Sequence, residues 1–223
     1  MSPVPGDDLS TSELFDSVPE ATRAEIRDLA EDRTFERGDL VFSQGDAAGE
    51  VFFVRSGLIA IAARAPDGRE TVVAVLGEQS LFGELALFDG APRSADARAL
   101  DDTVVAAIPY DTLHATIDDD PALLRLILRI LAQRLRRTDQ ALADSIFLDV
   151  TARTAKRLLA LSDGRDEFDL PLTQEELAGL VGASRERVNK AIATFVRLEW
   201  LVIDGRNRYR ILDRDAMDER ASL

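Results

Sequence analysis

Between Pro121 and Gly164 the chain has neither glycine nor proline, and ALLRLILRILAQRLRRTDQALADSIFL (122–148) reads as one long helix. Within it Leu124, Leu128, Leu131, Leu135, Thr138, Leu142 and Ser145 recur at alternating spacings of four and three. That is a heptad seam, and it predicts a coiled-coil-like contact with a second copy of the chain. The alternative is a helix packed only on the core of its own domain. Thr138 stands where a leucine would pack better, and a polar residue in a seam costs stability. Such a residue usually sets register or touches something.

Upstream of this helix the texture is different. From Thr34 to Ile108, short β-rich runs (VFFVR, LIAIAAR, ETVVAVL, TVVAAIP) alternate with turns at Gly38, Gly45, Gly49, Gly57, Gly68, Gly77 and Gly83. Strands of this length and spacing argue for a sandwich, barrel or roll. Asp67-Gly68 marks the tip of a hairpin. Residues 11–30 look helical, with a capping signal between Ser10 and Ser12. Inside this region FGELALFDGAPRS (82–94) places a carboxylate, Glu84, behind a glycine, then Arg93 and Ser94 nine and ten residues later. Either a loop ion pair or a site for a small anionic ligand bearing a hydroxyl would use this set. Val73, Leu76 and Leu85 would supply apolar walls.

Downstream, VTARTAKRLLALS (150–162) is a further amphipathic helix. Thr173 followed by Glu176 forms a capping box that opens a short helix over 174–180. Gly182 sits in a three-residue turn, and Ser184 caps a second helix running to about Leu198. Two helices joined this tightly make a helix-turn-helix, held inward by Leu177, Leu180, Val181, Val188, Ile192 and Phe195. A hairpin follows through Asp204 to Asn207, a wing carrying Arg206, Arg208 and Arg210. In such a motif the first turn of the second helix meets base edges. Arg185 can grip a guanine bidentately, Glu186 can accept from cytosine N4, and Lys190 can reach another guanine. Thr173, Ser184 and nearby backbone N–H groups suit phosphates, with Arg187 beside them. The plainer alternative is an αα-hairpin with a charged solvent face.

Composition narrows the function classes. The chain has no cysteine, which removes disulfides, iron–sulfur clusters, thiolate zinc sites and cysteine nucleophiles. Its one histidine, His114, lies in a short helical segment with no GxSxG elbow anywhere to support serine catalysis. No metal site, resident cofactor or enzyme activity is expected. The net charge of −14 is unevenly spread: residues 1–150 hold 14 basic and 28 acidic residues, whereas 151–223 hold 13 of each. A neutral C-terminal part with clustered arginines can approach DNA despite the acidic total. No apolar run reaches the roughly 20 residues of a membrane span, and the N-terminus lacks the features of a secretion signal. A cytoplasmic protein is expected.

The segments GELALFDGAPRSADARA (83–99), RLRRTDQALADSIFLDVTAR (134–153) and LTQEELAGLVGASRERVNKAI (172–192), in this order, resemble the cyclic-AMP receptor protein family of bacterial transcription regulators over nearly the whole chain. The resemblance implies an α+β fold. Residues 1–120 would form a jelly-roll-like β-roll that binds a cyclic nucleotide. A dimerisation helix over 121–148 and a winged helix-turn-helix domain over 149–223 would follow. It further implies that Glu84 takes the ribose 2′-hydroxyl and that Arg93 and Ser94 take the cyclic phosphate. Val73, Gly83, Leu85, Ala86 and Arg134 would complete the cyclic-AMP site on this subunit. Thr138 and Asp139 match the pair that faces the adenine, one within a subunit and one across the dimer; Asp139 departs from the family's serine. The chemistry fits independently, because an arginine fork suits a phosphodiester anion and a carboxylate accepts from a sugar hydroxyl. The resemblance also implies a TGTGA-like half-site read by Arg185, Glu186 and Lys190, and RNA polymerase as a partner. Ligand would shift a two-state equilibrium at a hinge near Phe147–Val150. Family members answering to cyclic GMP, to a cyclic dinucleotide or to no ligand remain open. A nucleotide-gated regulatory subunit without DNA binding is the reading from another class.

Overall fold

The computed structural model describes residues 30–222 apart from Arg69 and Arg206. Residues 11–29 of the expected N-terminal helix and the wing residue Arg206 therefore lie outside the described residues. In chain order the first strands are β1 (Glu31–Phe35), β2 (Leu40–Phe42), β3 (Glu50–Ser56), β4 (Ile59–Arg64), β5 (Glu70–Leu76) and β6 (Leu81–Phe82), followed by β7 (Asp96–Ala99) and β8 (Thr103–Pro109). They form two four-stranded sheets, ordered β1-β8-β3-β6 and β2-β7-β4-β5. The four β-rich runs legible in the sequence are β3, β4, β5 and β8.

Successive strand residues point to opposite faces, so a strand covered on both sides reads as a nearly continuous apolar run. VFFV and TVVAAI are such runs. Phe52 and Val54 of β3 and Val105 and Ala107 of β8 pack between the sheets with Ile59, Phe82, Ala97 and Ala99. Their neighbours Val51 and Ile108 turn the other way, into a cluster with Leu113 and Leu123. The rings of Phe42, Phe52 and Phe82 lie 5.2–5.9 Å apart, centre to centre, and make one aromatic floor.

Three helices belong with these sheets: α1 (Leu85–Asp89), α2 (Tyr110–Asp119) and α3 (Pro121–Phe147). The carboxylate of Asp120 accepts from the N–H of Ala122 at 2.9 Å, and Pro121 holds the first helical position, where no N–H is required. Leu123, Leu126, Ile127 and Ile130 bury one face of α3 against the roll. Much of the seam lies on another face, where Leu128, Leu135 and Leu142 are 53%, 62% and 61% exposed, whereas Leu131 packs against the same cluster. A helix can thus serve its own core and still carry an open heptad face, so the two readings of the seam are not exclusive. The described chain divides into two compact units, and the boundary on α3 falls between Arg136 and Arg137.

The C-terminal unit continues with α4 (Val150–Ser162), β9 (Glu167–Asp169), α5 (Gln174–Val181), α6 (Arg185–Arg197), β10 (Leu201–Asp204), β11 (Arg208–Ile211) and α7 (Arg214–Ala221). The break between α3 and α4 is two residues long, Leu148 and Asp149, inside the expected hinge. Asp149 caps α4 by accepting from Ala152 N–H at 2.8 Å, and Arg220 of α7 holds the same carboxylate at 2.5 and 2.6 Å. The capping box forms as read: Thr173 Oγ1 accepts from Glu176 N–H at 3.2 Å and Thr173 N–H donates to Glu176 Oε2 at 2.7 Å. Gly182, at φ +70°, ends α5 in the left-handed conformation that favours glycine. Leu177, Val181, Val188, Ile192 and Phe195 are buried; Leu180 is half-buried. The wing is a three-stranded sheet in the order β10-β11-β9, with β9 added to the expected hairpin. Phe195 at the end of α6 stacks on Trp200 at 6.0 Å and 19°.

Candidate functional site

The first site gathers around the segment that joins β6 to β7. Gly83, Glu84, Leu85, Ala86, Arg93, Ser94 and Arg134 line one cavity together with Phe42, Ile61, Phe82 and Ala95.

Arg93 is 7% exposed. Its Nη1 donates to the carbonyl of Gly83 at 2.8 Å and to Tyr110 Oη at 3.2 Å, and its Nη2 donates to the carbonyl of Glu50 at 2.8 Å. The guanidinium stands 4.2 Å over the Phe42 ring and 5.4 Å from that of Phe52. Among the described residues no carboxylate pairs with it, and Nε is buried with no hydrogen-bond partner. A buried cation met only by neutral groups (carbonyls, a phenol and ring faces) retains much of its charge for an anion. Gly83 makes this placement possible. At φ +77°, a Cβ there would lie 2.6 Å from Arg93 Nη1. Tyr110 braces the arrangement by donating to the Gly83 carbonyl at 2.8 Å. Burial pushes its phenol above the usual range, with the charge of Arg93 opposing.

Glu84 is 1% exposed, and its Oε1 accepts from Arg134 Nη1 at 2.6 Å. Arg134 also donates to the carbonyl of Leu81. The cavity thus presents a carboxylate held by an arginine and also an arginine without a carboxylate. A ligand with hydroxyls at one end and an anionic group at the other matches that polarity. Ser94 is exposed at the mouth. Val73 stands apart from the lining, 53% exposed on β5, and Leu76 packs into the inter-sheet core. Thr138 and Asp139 are exposed on α3 beyond the unit boundary. Sequence reasoning did not reach Phe42, Ile61, Phe82 and Ala95 as lining, nor Tyr110 and the Glu50 carbonyl as supports. No local pattern announces a backbone carbonyl as a partner.

The second site is the start of α6. Ser184, Arg185, Glu186, Arg187 and Lys190 are all exposed there, and Thr173 is exposed at the start of α5. Ser184 holds the cap position with no side-chain cap bond. Val188, Ala191, Ile192 and Phe195 bury the opposite face. Asn189, also exposed, falls one turn after Arg185 on the same face; its amide is the group that pairs bidentately with adenine. The 3.6-residue period would have found it.

The turn itself is held from behind by α4. Arg153 Nε donates to the Val181 carbonyl at 3.0 Å, Nη2 to Gly182 at 3.2 Å and Nη1 to Leu148 at 2.7 Å. Arg157 Nε reaches the carbonyl of Leu180 at 3.2 Å, and burial pushes its guanidinium pKa down. These bonds satisfy the last carbonyls of α5. On the wing, Arg208 lies 3.6 Å from Asp169, and Arg210 lies 3.6 and 3.8 Å from Asp204 and Glu167. The basic wing read from the sequence is therefore flanked by acids, two of them on β9.

Comparison with known proteins assigns both halves. The chain matches the cyclic nucleotide-binding domain family over residues 32–120 and the Crp-like helix-turn-helix domain family over residues 152–220. It is 38% identical over 220 residues to a CRP-like cAMP-activated global transcriptional regulator of Mycobacterium tuberculosis (strain H37Rv), covering 96% of this chain and 98% of that one. It is 32% identical over 156 residues to the cAMP-activated global transcriptional regulator CRP of Escherichia coli O157:H7, covering 67% and 74%. Among solved structures, the c-di-GMP responsive global regulator CLP of Xanthomonas campestris aligns with a TM-score of 0.76 at 28% identity, covering 86% of this chain and 99% of that one. The Thermus thermophilus catabolite activator protein aligns at 0.55 and 28% identity, covering 94% and 98%. With a cyclic nucleotide-binding domain in front of a Crp-like helix-turn-helix, the chain belongs to the CRP family of transcription regulators.

Proposed function

We propose that the protein is a cyclic-AMP-responsive regulator that works as a homodimer and reads near-palindromic, TGTGA-like DNA. The observation that carries the ligand is Arg93, a buried guanidinium without a carboxylate partner among the described residues, with Nε unsatisfied, in a cavity that Glu84 also lines. Arg93 and Ser94 take the cyclic phosphate, and Glu84 takes the ribose hydroxyl. Arg134 keeps Glu84 oriented. Thr138 and Asp139 face the base, and the exposed seam of α3 supplies the two-fold axis. Two α6 helices related by that axis then read half-sites one helical turn apart. Arg185, Glu186 and Lys190 contact base edges, Asn189 adds an amide on the same face, and Thr173, Ser184 and Arg187 contact phosphates. RNA polymerase is the partner that the family resemblance brings.

Calorimetric titration of the dimer with cyclic AMP and cyclic GMP tests the reading. Saturable heat with cyclic AMP, at lower concentration than with cyclic GMP, is the expected result. No heat with either nucleotide would overturn it. The similarity to a regulator described as c-di-GMP responsive supports a second reading, a cyclic dinucleotide in place of cyclic AMP. A c-di-GMP arm of the same titration separates the two.

A further inference from the structure

Two residues beyond Ser94 the chain buries another carboxylate. Asp96 is 2% exposed and does not line the cavity. A buried carboxylate is costly unless paired, and one so near an anion site would also oppose the ligand. Asp96 has two partners: its Oδ1 accepts from the backbone N–H of Gln44 at 2.6 Å, and its Oδ2 accepts from Arg64 Nη2. Gln44 returns to the same arginine, its Oε1 accepting from Arg64 N–H at 2.8 Å. The turn that follows Gln44 then grips the anion segment by its backbone. Gly45 N–H donates to the Arg93 carbonyl at 2.8 Å, and Arg93 N–H donates to the Asp46 carbonyl at 2.9 Å. Both backbone polar groups of Arg93 are therefore fixed by residues 45 and 46, and that turn is fixed by Asp96 and Arg64.

We propose that Arg64, Gln44 and Asp96 form a clamp that presets the Arg93–Ser94 segment for an anionic ligand, and that Arg64 also neutralises a carboxylate which would otherwise repel it. These are positioning residues, since none touches the cavity. The proposal rests on reading the cavity as a cyclic-nucleotide site. Its two halves have different signatures. Asp96→Asn loosens the clamp but removes the offending charge, whereas Arg64→Gln leaves the charge buried without its cation.

The test is calorimetric titration of the full-length protein with cyclic AMP, alongside amide hydrogen exchange of the ligand-free protein. Arg64→Gln is expected to weaken binding by about tenfold, as for residues coupled in one network. Arg64→Lys, which keeps the charge, should stay near wild type, and Arg64→Gln combined with Asp96→Asn should regain the affinity of Asp96→Asn alone. Faster exchange at the amides of Gln44, Gly45 and Arg93 in Asp96→Asn, with an unchanged melting temperature, reports the loosened clamp. Arg64→Gln binding as tightly as wild type, or a double variant no better than Arg64→Gln, overturns the neutralising role. Unchanged exchange at those three amides overturns the presetting role. If the wild-type protein itself binds no cyclic AMP, the ligand reading fails, and the exchange measurement still decides the clamp.

Discussion

Arg93 is surrounded by groups that orient a guanidinium without cancelling it: two carbonyls, a phenol and the faces of two phenylalanine rings. Replacing it should therefore cost ligand affinity more than stability. Arg93→Gln is expected to weaken cyclic AMP binding by about 1.5–3 kcal/mol, the worth of hydrogen bonds to a charged group. Calorimetry gives the affinity, and a melting curve shows that the fold persists. On the DNA side, Arg185→Ala should reduce discrimination between a TGTGA-like site and a scrambled one by ~1–3 kcal/mol, while binding to scrambled DNA changes little. Competition binding at fixed salt measures both. Glu84 and Arg93 stood out in the sequence as a carboxylate and an arginine in one apolar segment, but spacing alone left a loop ion pair open, and it was the family resemblance that gave them ligand roles. Tyr110 and Arg153 did not stand out, because their roles are contacts with backbone carbonyls that only the fold brings near. Val73, placed at the site by its apolarity and by the family resemblance, stands exposed on its strand.

Helix α3 buries one face against the roll and leaves leucines of the heptad exposed on another. Leu135 and Leu142 are the most exposed leucines of the seam. Leu135→Asp with Leu142→Asp is expected to convert a dimer into monomers at micromolar concentration without unfolding the roll, whose buried contacts with α3 include Leu123, Leu126, Ile127 and Ile130. Sedimentation and circular dichroism check the two halves of that statement; persistent dimers would refute it. Elements were legible where burial was symmetric or periodic. β3 and β8 read as apolar runs, α3 as heptads, and α5 by its cap and glycine. β1 (EDRTF), β7 (DARA) and β9 (EFD) carry mostly polar residues and are strands because of what they pair with. α7 was missed for a similar reason: RDAMDERA buries one residue, Met217, and shows no apolar stripe.

For the whole molecule, acidity concentrated in residues 1–150 and neutrality in 151–223 mean that total charge says little about DNA affinity. In the C-terminal unit, burial pushes Asp144 up, but hydrogen bonds from Lys156 and Gln140 outweigh it and hold the carboxyl below its usual range. Asp149 is held low by the N–H of Ala152 and by Arg220. A carboxylate whose folded pKa is depressed adds stability that is complete above its unfolded value, near 4, and is lost as pH falls through the folded value. Asp163, raised by burial, acts in the opposite sense. The melting temperature is therefore expected to fall below about pH 4, and less steeply in Asp144→Asn; a parallel fall in the two proteins would contradict this. The stack of Phe195 on Trp200 has a practical consequence of another kind. Trp200 is the sole indole in the chain and sits where the recognition helix meets the wing. Its emission is a native optical probe of that joint, so engagement of an operator can be timed in a stopped-flow fluorimeter on unlabelled protein.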